Sequence, residues 1–451
     1  MRDRIGRFSR TLAEAVAEQR VSFAHGVGLF SDSTPIVYDT NYLRVDGLTT
    51  AEEHAAEADA LMERFLHRRI ATDRRGGLLA DGLGKLGWAQ STHLVMAHVR
   101  EPDRRVDTSA VREVSLDALE EPHMRVTLTE AYGTVELAEQ LFAAKRRIGS
   151  VVPTRYFAVE LDGAIAAYCE LRGDGATAQI EDVNTLGAYR GHGLGRVVVQ
   201  HALDEGRAAH DVVFIEALAD DWPKDLYAKL GFETIDERHL FLRAPHPLAR
   251  LRIRTPRLEL RLATIAELRE LERVAAAGIH DPAFMPFGVA WTDSFDEASF
   301  LDWHERALLH WRPDSWRLEL VAFADGRPIG SQALHADHFG STRRAATGSW
   351  LGAAWQGRGL GTEMRAAVLT LLFDGLRGDE AASGAIVGNH ASLAVSLKLG
   401  YREQDRSIVS PRGTPVEHHD LVLARGEFKR PDMPVSIEGL AGLEPLFGVE
   451  A

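Results

Sequence analysis

Two short stretches carry the most specific chemistry in this chain. Arg190-Gly191-His192-Gly193-Leu194-Gly195 and Gln356-Gly357-Arg358-Gly359-Leu360-Gly361 place glycine at alternate positions. Each stands between a strand-like run and a helix-like one. Backbone N–H groups exposed at the start of a helix, beside the positive end of its dipole, bind phosphate oxygens. Glycine suits such a loop because a side chain would hold the backbone away from the anion. A Walker loop is excluded, since no Lys-Ser or Lys-Thr pair closes either stretch. The dinucleotide fingerprint G-x-G-x-x-G is excluded by the G-x-G-x-G spacing. What remains is Arg/Gln-x-x-Gly-x-Gly, present in both stretches.

The elements that must hold these loops repeat along the chain. Strand-like runs enter the loops at Thr177 to Leu186 and Ala345 to Leu351, and helix-like runs leave them at Arg196 to Ala209 and Thr362 to Leu376. Downstream by 36 and 39 residues stand Tyr227-Ala228-Lys229-Leu230-Gly231-Phe232 and Ser396-Leu397-Lys398-Leu399-Gly400-Tyr401. Both read as a helix stopped by a left-handed glycine, then a strand. A third copy, Leu83-Gly84-Lys85-Leu86-Gly87-Trp88, closes a stretch in which Tyr42 to Val45 runs into a helix from Thr50 to His67 with no glycine loop between. Asp162-Gly163 and Asp325-Gly326 mark hairpins. The expected architecture is α+β, each complete unit a mixed, mostly antiparallel sheet flanked by helices. The expected divisions are 1–108, a shortened unit without the loop; 109–245 and 250–428, two complete units; and 429–451, an irregular tail whose Leu440, Leu443 and Leu446 are free to dock. Ala244-Pro245-His246-Pro247 reads as a linker.

Composition narrows the function classes. The chain has 451 residues, 45% hydrophobic and 26% charged, with formal net charge −14. That is a globular composition. No basic patch dominates, which argues against nucleic acid and weakly favours cationic or amine ligands. Cys169 is the single cysteine, so no intramolecular disulfide or thiolate metal cluster forms. No apolar run has the length of a membrane span and no signal peptide is visible, which points to a cytoplasmic protein without a membrane partner. The amphipathic Met1 to Gln19 reads as a surface helix, since Asp3, Glu14 and Glu18 are wrong for a transit peptide. His304, His335 and His338 lack metal-ligand spacing, and no metal is expected.

On these residues the chain resembles the GNAT superfamily of acyl-CoA-dependent N-acyltransferases over Val111 to Leu242 and Arg252 to Leu423, and more faintly in its first unit. Arg190, Gly193, Gly195 and Tyr227 carry the resemblance in the first complete domain. Gln356, Gly359, Gly361, Asn389, Ser392 and the opening Thr255-Pro256-Arg257-Leu258-Glu259-Leu260-Arg261, similar to the Rim-type branch, carry it in the second. The resemblance implies that acetyl-CoA or another short acyl-CoA lies along Leu186, Arg190, Gly191, His192, Gly193, Leu194, Gly195 and Arg196. In the second domain it implies Leu351, Gln356, Gly357, Arg358, Gly359, Leu360, Gly361, Thr362, Asn389 and Ser392. It also implies that the pantetheine arm lies where the strand before the loop splays from the next one.

Acyl transfer from a thioester to an amine poses two proton problems: the amine must lose one, and the departing thiolate is helped by an acid. The resemblance places that acid at Tyr227. Glu181 and Asp182 alternate faces on the strand entering the loop, so one points toward the cleft; Glu181 is the preferred base, with Glu216 a further candidate. Asp220 and Asp221 either attract a cation or are simply a charged loop. In the second domain the tyrosine position holds Ser396, a poorer donor, and Thr347, Ser349 and Trp350 offer no base. Asn389 and Ser392 either touch the cofactor arm or cap the helix after Gly388. Trp291, Trp303, Trp311, Trp316 and Trp350 either shape an acceptor pocket or fill the core. The expected activity is N-acylation of a primary amine on a small molecule or peptide, and a homo-oligomer is compatible with it. The alternative is a non-catalytic acyl-CoA sensor or scaffold with one or both sites inactive.

Overall fold

The computed structural model describes residues 1–130, 133–293 and 296–449. The chain divides into two compact units, Met1–Ala244 and Pro245–Ala451. Each is built on one mixed, mostly antiparallel sheet flanked by helices, the α+β architecture that the alternating strand and helix patterns predict.

The first unit runs α1 (Arg2–Val16), β1 (Gln19–Phe23), β2 (Gly26–Phe30), β3 (Tyr42–Val45), α2 (Ala51–Leu61), β4 (Arg68–Thr72), α3 (Ala80–Lys85), β5 (Ala89–His98) and β6 (Val111–Val114). It continues through α4 (Glu120–Thr129), α5 (Val135–Val151), β7 (Thr154–Leu161), β8 (Ala164–Gly173), β9 (Thr177–Thr185), α6 (Leu194–Ala209), β10 (Val212–Leu218), α7 (Pro223–Lys229) and β11 (Phe232–Arg243). Its eleven strands lie in the order β1-β2-β3-β4-β11-β5-β10-β9-β8-β7-β6. The segments 1–108 and 109–245 therefore share a single sheet, and they do so by exchanging strands. Strand β11, which closes the second segment, pairs with β4 of the first. Strand β5, which closes the first, pairs with β10 of the second. Side by side, β5 and β11 are antiparallel along nearly their whole lengths. Helix α1 is the amphipathic surface helix that its pattern predicts: Ile5, Phe8 and Val16 are buried, the first two against Val95, Ala97 and Phe214.

The second unit runs β12 (Arg252–Arg254), β13 (Glu259–Arg261), α8 (Ile265–Ala276), α9 (Glu297–Leu309), β14 (Ser315–Ala324), β15 (Arg327–Asp337), α10 (Phe339–Thr342), β16 (Arg344–Leu351), α11 (Leu360–Thr370), β17 (Glu380–Ile386), α12 (His390–Leu399), β18 (Arg402–Val409), β19 (Val416–Ala424) and β20 (Ser436–Glu438). Here β19 of the same unit sits beside β17. The helix expected to reach Leu376 ends as α at Thr370 and widens into a π turn, Leu371–Gly375. The tail is less irregular than its prolines suggest: β20 pairs with β12, and Leu443, Phe447 and Val449 are buried. Trp311 and Trp316 stack at 5.7 Å and both meet Phe447, so these two tryptophans fill the core. Residues 450 and 451 lie outside the described residues.

Local sequence accounts for the joints. Asp162 (φ 52°) and Gly163 (φ 79°) turn β7 into β8, and Asp325 (φ 48°) and Gly326 (φ 73°) turn β14 into β15, the pair of positive φ values that a two-residue hairpin requires. Gly87, Gly231 and Gly400 adopt φ of 81°, 96° and 100° at the three matching helix stops. Thr264 and Glu267 form a reciprocal capping box on α8. Among the described residues no helix is long and apolar enough to cross a membrane.

Candidate active site

Each glycine loop sits where two parallel strands part. In the first unit β9 pairs with β10 from Thr177 opposite Val212 to Ile180 opposite Ile215, yet β9 continues to Thr185 and β10 to Leu218. In the second, β16 and β17 pair only from Arg344 opposite Glu380 to Ala346 opposite Ala382, then run on separately. The equivalent pair near the N-terminus, β3 and β4, stays joined to the ends, Val45 opposite Thr72. That segment has neither a glycine loop nor an opening.

The loops present their amides as an anion site does. Gly191 and Gly193 have φ of 83° and 76°, Gly357 and Gly359 of 71° and 79°, and all four are exposed. A Cβ at Gly191, Gly193 or Gly357 would enter open space, the space an oxyanion needs. The amides of Arg196 and Val197 close on the Gly193 carbonyl, so the first free amides lie among residues 191–195. Arg190 Nε donates to the Thr185 carbonyl (3.2 Å), tying the loop to β9. Arg196 is turned elsewhere: its Nη1 donates to Asp103 Oδ1 (2.8 Å) and the Arg104 carbonyl (3.1 Å), so its side chain braces α6. Gln356 Nε2 donates to the carbonyls of Ile279 and Leu351, both at 2.7 Å, and likewise braces its loop. Leu186 and Leu351 are buried at the ends of their strands, and Leu360 begins α11 buried, whereas Gly361 and Thr362 are partly exposed.

The first opening carries titratable groups on both faces. Opposite β8, residues Asp182 and Val183 crowd against Cys169 alone, because Glu181 pairs with Glu170 and Asn184 with Tyr168. Asp182 takes φ 52° at this bulge, which frees a backbone group from the ladder. Glu181 projects with Glu170 from the face that α5 covers. Burial is the largest influence on Glu181 and lifts its pKa to about 7; Arg172 opposes, while Glu216, Glu170 and Asp182 reinforce. Gln179 Nε2 donates to Glu181 Oε2 (2.5 Å). Glu216, on β10, is held by Arg238 at 2.8 Å. Tyr227 lies on the other face, buried with Cys169, Ile180 and Val198. Burial, then the Glu181 charge, raises its pKa above the ordinary phenol value. Asp221 accepts from the Trp222 amide (2.7 Å) beside α7.

Sequence reasoning missed the network beneath Glu181. Lys145 of α5 donates to both Glu170 and Asp182, Arg172 donates to Glu170 Oε2 at 2.6 and 3.0 Å, and Asn184 donates to Asp182 Oδ1 at 2.8 Å. Burial favours protonation of Asp182, but Lys145's charge and hydrogen bond outweigh it and hold the carboxyl below its usual range. Asp182 is thus spent on structure, leaving Glu181 as the carboxylate with affinity for a proton near neutrality. Lys145 lies 37 residues before Asp182, and no local pattern links them.

The second opening is built differently. The β15–β16 register runs from Gly330 opposite Leu351 to His335 opposite Ala346 without a bulge. Ser396 is fully buried, and its Oγ donates to the Ser392 carbonyl (3.1 Å), so the hydroxyl is engaged within α12. Asn389 caps that helix, its Oδ1 accepting from the Ser392 amide (3.1 Å). On the face of α8 and α9, Trp350 lies 5.7 Å from Trp291 and 6.4 Å from Phe300; Trp303 is exposed, with the Arg317 guanidinium 4.8 Å from its ring.

Among the described residues one group has the closeness of a metal site, and it lies near the N-terminus: His25, His54 and Glu57. Its hydrogen bonds do not suit a cation. The Thr49 amide donates to His54 Nε2 (3.1 Å), which puts the neutral ring's proton on Nδ1, where Glu57 accepts it (3.0 Å). A ligating histidine needs the opposite polarity. Three other histidines, His304, His335 and His338, form no such group among the described residues. A cavity of about 220 Å³ lined by Arg254, Arg257, Arg261 and Phe323 borders the second glycine loop, since Arg257 Nη1 donates to the Arg358 carbonyl (3.0 Å), and its arginines are paired with Glu438, Glu363 and Glu267.

Comparison with known proteins agrees with this architecture. Residues 120–232 match the Acetyltransferase (GNAT) family and residues 257–402 the Acetyltransferase (GNAT) domain. Solved structures similar to parts of the chain include a functionally unknown conserved protein from Staphylococcus epidermidis (13% identity, 50% of this chain and 94% of that one, TM-score 0.41). Another is Mycobacterium smegmatis RimJ in complex with CoA-disulfide (19%, 44% and 94%, TM-score 0.36). A third is the microcin C7 self-immunity acetyltransferase MccE in complex with acetyl-CoA and AMP (15%, 38% and 93%, TM-score 0.32). The two family matches lie one after the other, each spanning a glycine loop and the strands that part beside it: the chain belongs to the GNAT acetyltransferases and carries two such domains in tandem.

Proposed function

We propose that this protein is an acyl-CoA-dependent N-acyltransferase that moves an acetyl or other short acyl group to a primary amine of a small molecule or peptide, with its proton chemistry in the first unit. One observation carries the reading: Glu181 and Tyr227 stand on opposite faces of one strand opening, directly behind a loop of unbonded amides. Acyl-CoA supplies an activated thioester. The amides of residues 191–195 would hold its diphosphate, and Arg190 keeps that loop in place. Glu181, with its pKa near 7, takes the proton from an amine approaching on the α5 face. Tyr227, kept protonated, donates to the departing sulfur from the α6 face. A backbone amide at the Asp182 bulge is the donor for the developing oxyanion.

The second loop, residues 356–361, would hold a second acyl-CoA. The sensor reading has its own support in that unit: no bulge, no carboxylate between Thr347 and Trp350, and a serine hydroxyl already engaged at the tyrosine position. Thiol release from acetyl-CoA with a panel of primary amines tests the whole reading. Turnover that Glu181→Gln abolishes supports it; binding without thiol release from any amine leaves the sensor.

A further inference from the structure

Each buried arginine of the described chain but one is paired with a carboxylate. Arg68 holds Asp59, Arg172 holds Glu170 and Arg196 holds Asp103. Arg365, on α11 and 3% exposed, holds hydroxyls instead. Its Nη1 donates to Ser383 Oγ (2.9 Å) and its Nη2 to Ser349 Oγ (2.8 Å), while Nε has no acceptor. Ser349 belongs to β16 and Ser383 to β17, and both stand beyond the last paired residues, Ala346 and Ala382. The guanidinium therefore spans the mouth of the second opening. Beside it, the Tyr401 hydroxyl meets Thr347 Oγ1 (3.1 Å) and is the one ionisable group that bears on Arg365. Glu363, on the same helix, is occupied by Arg257 and Thr255. Glu319 and His335 sit on the register rows of Ala333 and Ala346, on the opposite face of the sheet from Thr347 and Ser349.

A guanidinium without an anion in a water-poor site is costly unless an anion arrives during function. We propose that Arg365 is the counter-ion for the negative charge that develops on sulfur when an acyl thioester is cleaved in the second unit, replacing the proton donor that Ser396 cannot supply. The proposal rests on the reading that the second loop binds acyl-CoA. In the step, a neutral amine attacks the thioester carbonyl carbon, the C–N bond forms and the C–S bond breaks. The electron pair leaves on sulfur as a thiolate paired with Arg365, and the surplus proton of the amine passes to water. Burial lowers the pKa of Arg365, with Tyr401 opposing, but a guanidinium does not deprotonate in a protein, so Arg365 contributes charge alone.

The test uses the full chain carrying Gly193→Trp, which closes the first loop. Coenzyme A bound to the second unit is titrated by its ultraviolet thiolate absorbance, and acetyl-CoA affinity is measured by calorimetry. The thiol should titrate at least about 1 pH unit below that of free coenzyme A measured in the same buffer. Arg365→Met should abolish that shift, Arg365→Lys should keep most of it, and acetyl-CoA affinity should change less than about threefold in both. A thiol pKa unaffected by Arg365→Met overturns the counter-ion. Tighter acetyl-CoA binding in Arg365→Met overturns it also, because Arg365 would then be a plug in the opening. No binding in any of the three chains removes the second loop as a cofactor site, and the inference with it.

Discussion

Glu181 and Tyr227 meet electrostatically across the opening between β9 and β10: Tyr227 is buried on one face of the sheet and Glu181 half-buried on the other, and the carboxylate's charge adds to burial in keeping the phenol protonated. The arrangement separates an acid from a base by one layer of backbone. The influence runs one way: the Glu181 charge helps keep Tyr227 in the protonated state that its proposed role requires.

Activity should follow the ionisation of Glu181. Its pKa near 7 means the base is half available at neutrality, so kcat should rise with pH below 7 and level off above. Glu181→Gln should lower kcat by about 10²- to 10⁴-fold with acetyl-CoA affinity retained. Stability should move the other way. The folded pKa lies above the unfolded value of ~4.3, so folding favours the protonated group; that contribution is present below pH ~4 and lost as pH rises through 7. Glu181→Gln should therefore raise Tm relative to the parent at pH 8 but not at pH 5, as differential scanning calorimetry would show.

The loops should be separable by bulk. Gly193→Trp and Gly359→Trp put a side chain where the backbone has φ of 76° and 79°. Each should remove one site, taking the calorimetric stoichiometry of acetyl-CoA from two to one. Gly359→Trp should leave turnover through Glu181 largely intact, and Gly193→Trp should lower it by more than about tenfold.

Removing Lys145 should expose the cost of the buried network. Lys145→Met leaves Glu170 with Arg172 alone and Asp182 with Asn184 alone. A destabilisation of about 3–5 kcal/mol is expected for breaking a buried pair, read from urea unfolding. The carboxyl of Asp182 should then titrate upward, because the largest opposition to burial would be gone, leaving His123 and Arg172.

The strand exchange makes the first unit indivisible. Separate chains of residues 1–108 and 109–245 should each fail to fold, since β4 needs β11 and β10 needs β5. Co-expressed, they should assemble into one species with the circular dichroism of the intact unit. A folded, monodisperse 1–108 fragment would contradict this.

What could be read without coordinates was local. Positions of φ above zero announce themselves as glycine or Asp-Gly, so the two loops, the hairpins at Asp162 and Asp325 and the helix stops at Gly231 and Gly400 were legible in order and spacing. So was the α+β alternation, because strand and helix periods differ along the chain. Tyr227 is singled out by the family resemblance and Glu181 by its place on the strand entering the loop, and their roles remain part of the proposal. Tertiary structure decided everything that depends on residues far apart in the chain. It joined the segments 1–108 and 109–245 through β5 and β11. It set Lys145 on Asp182 and so left Glu181 as the carboxylate that titrates near neutrality, and it turned Arg196 away from the loop to Asp103. It also stretched Arg365 between two serines of parted strands. The physical reason is that a turn is determined by the backbone freedom of one or two residues. A pKa or an ion pair is determined by which side chains the sheet register brings together and how much water it excludes.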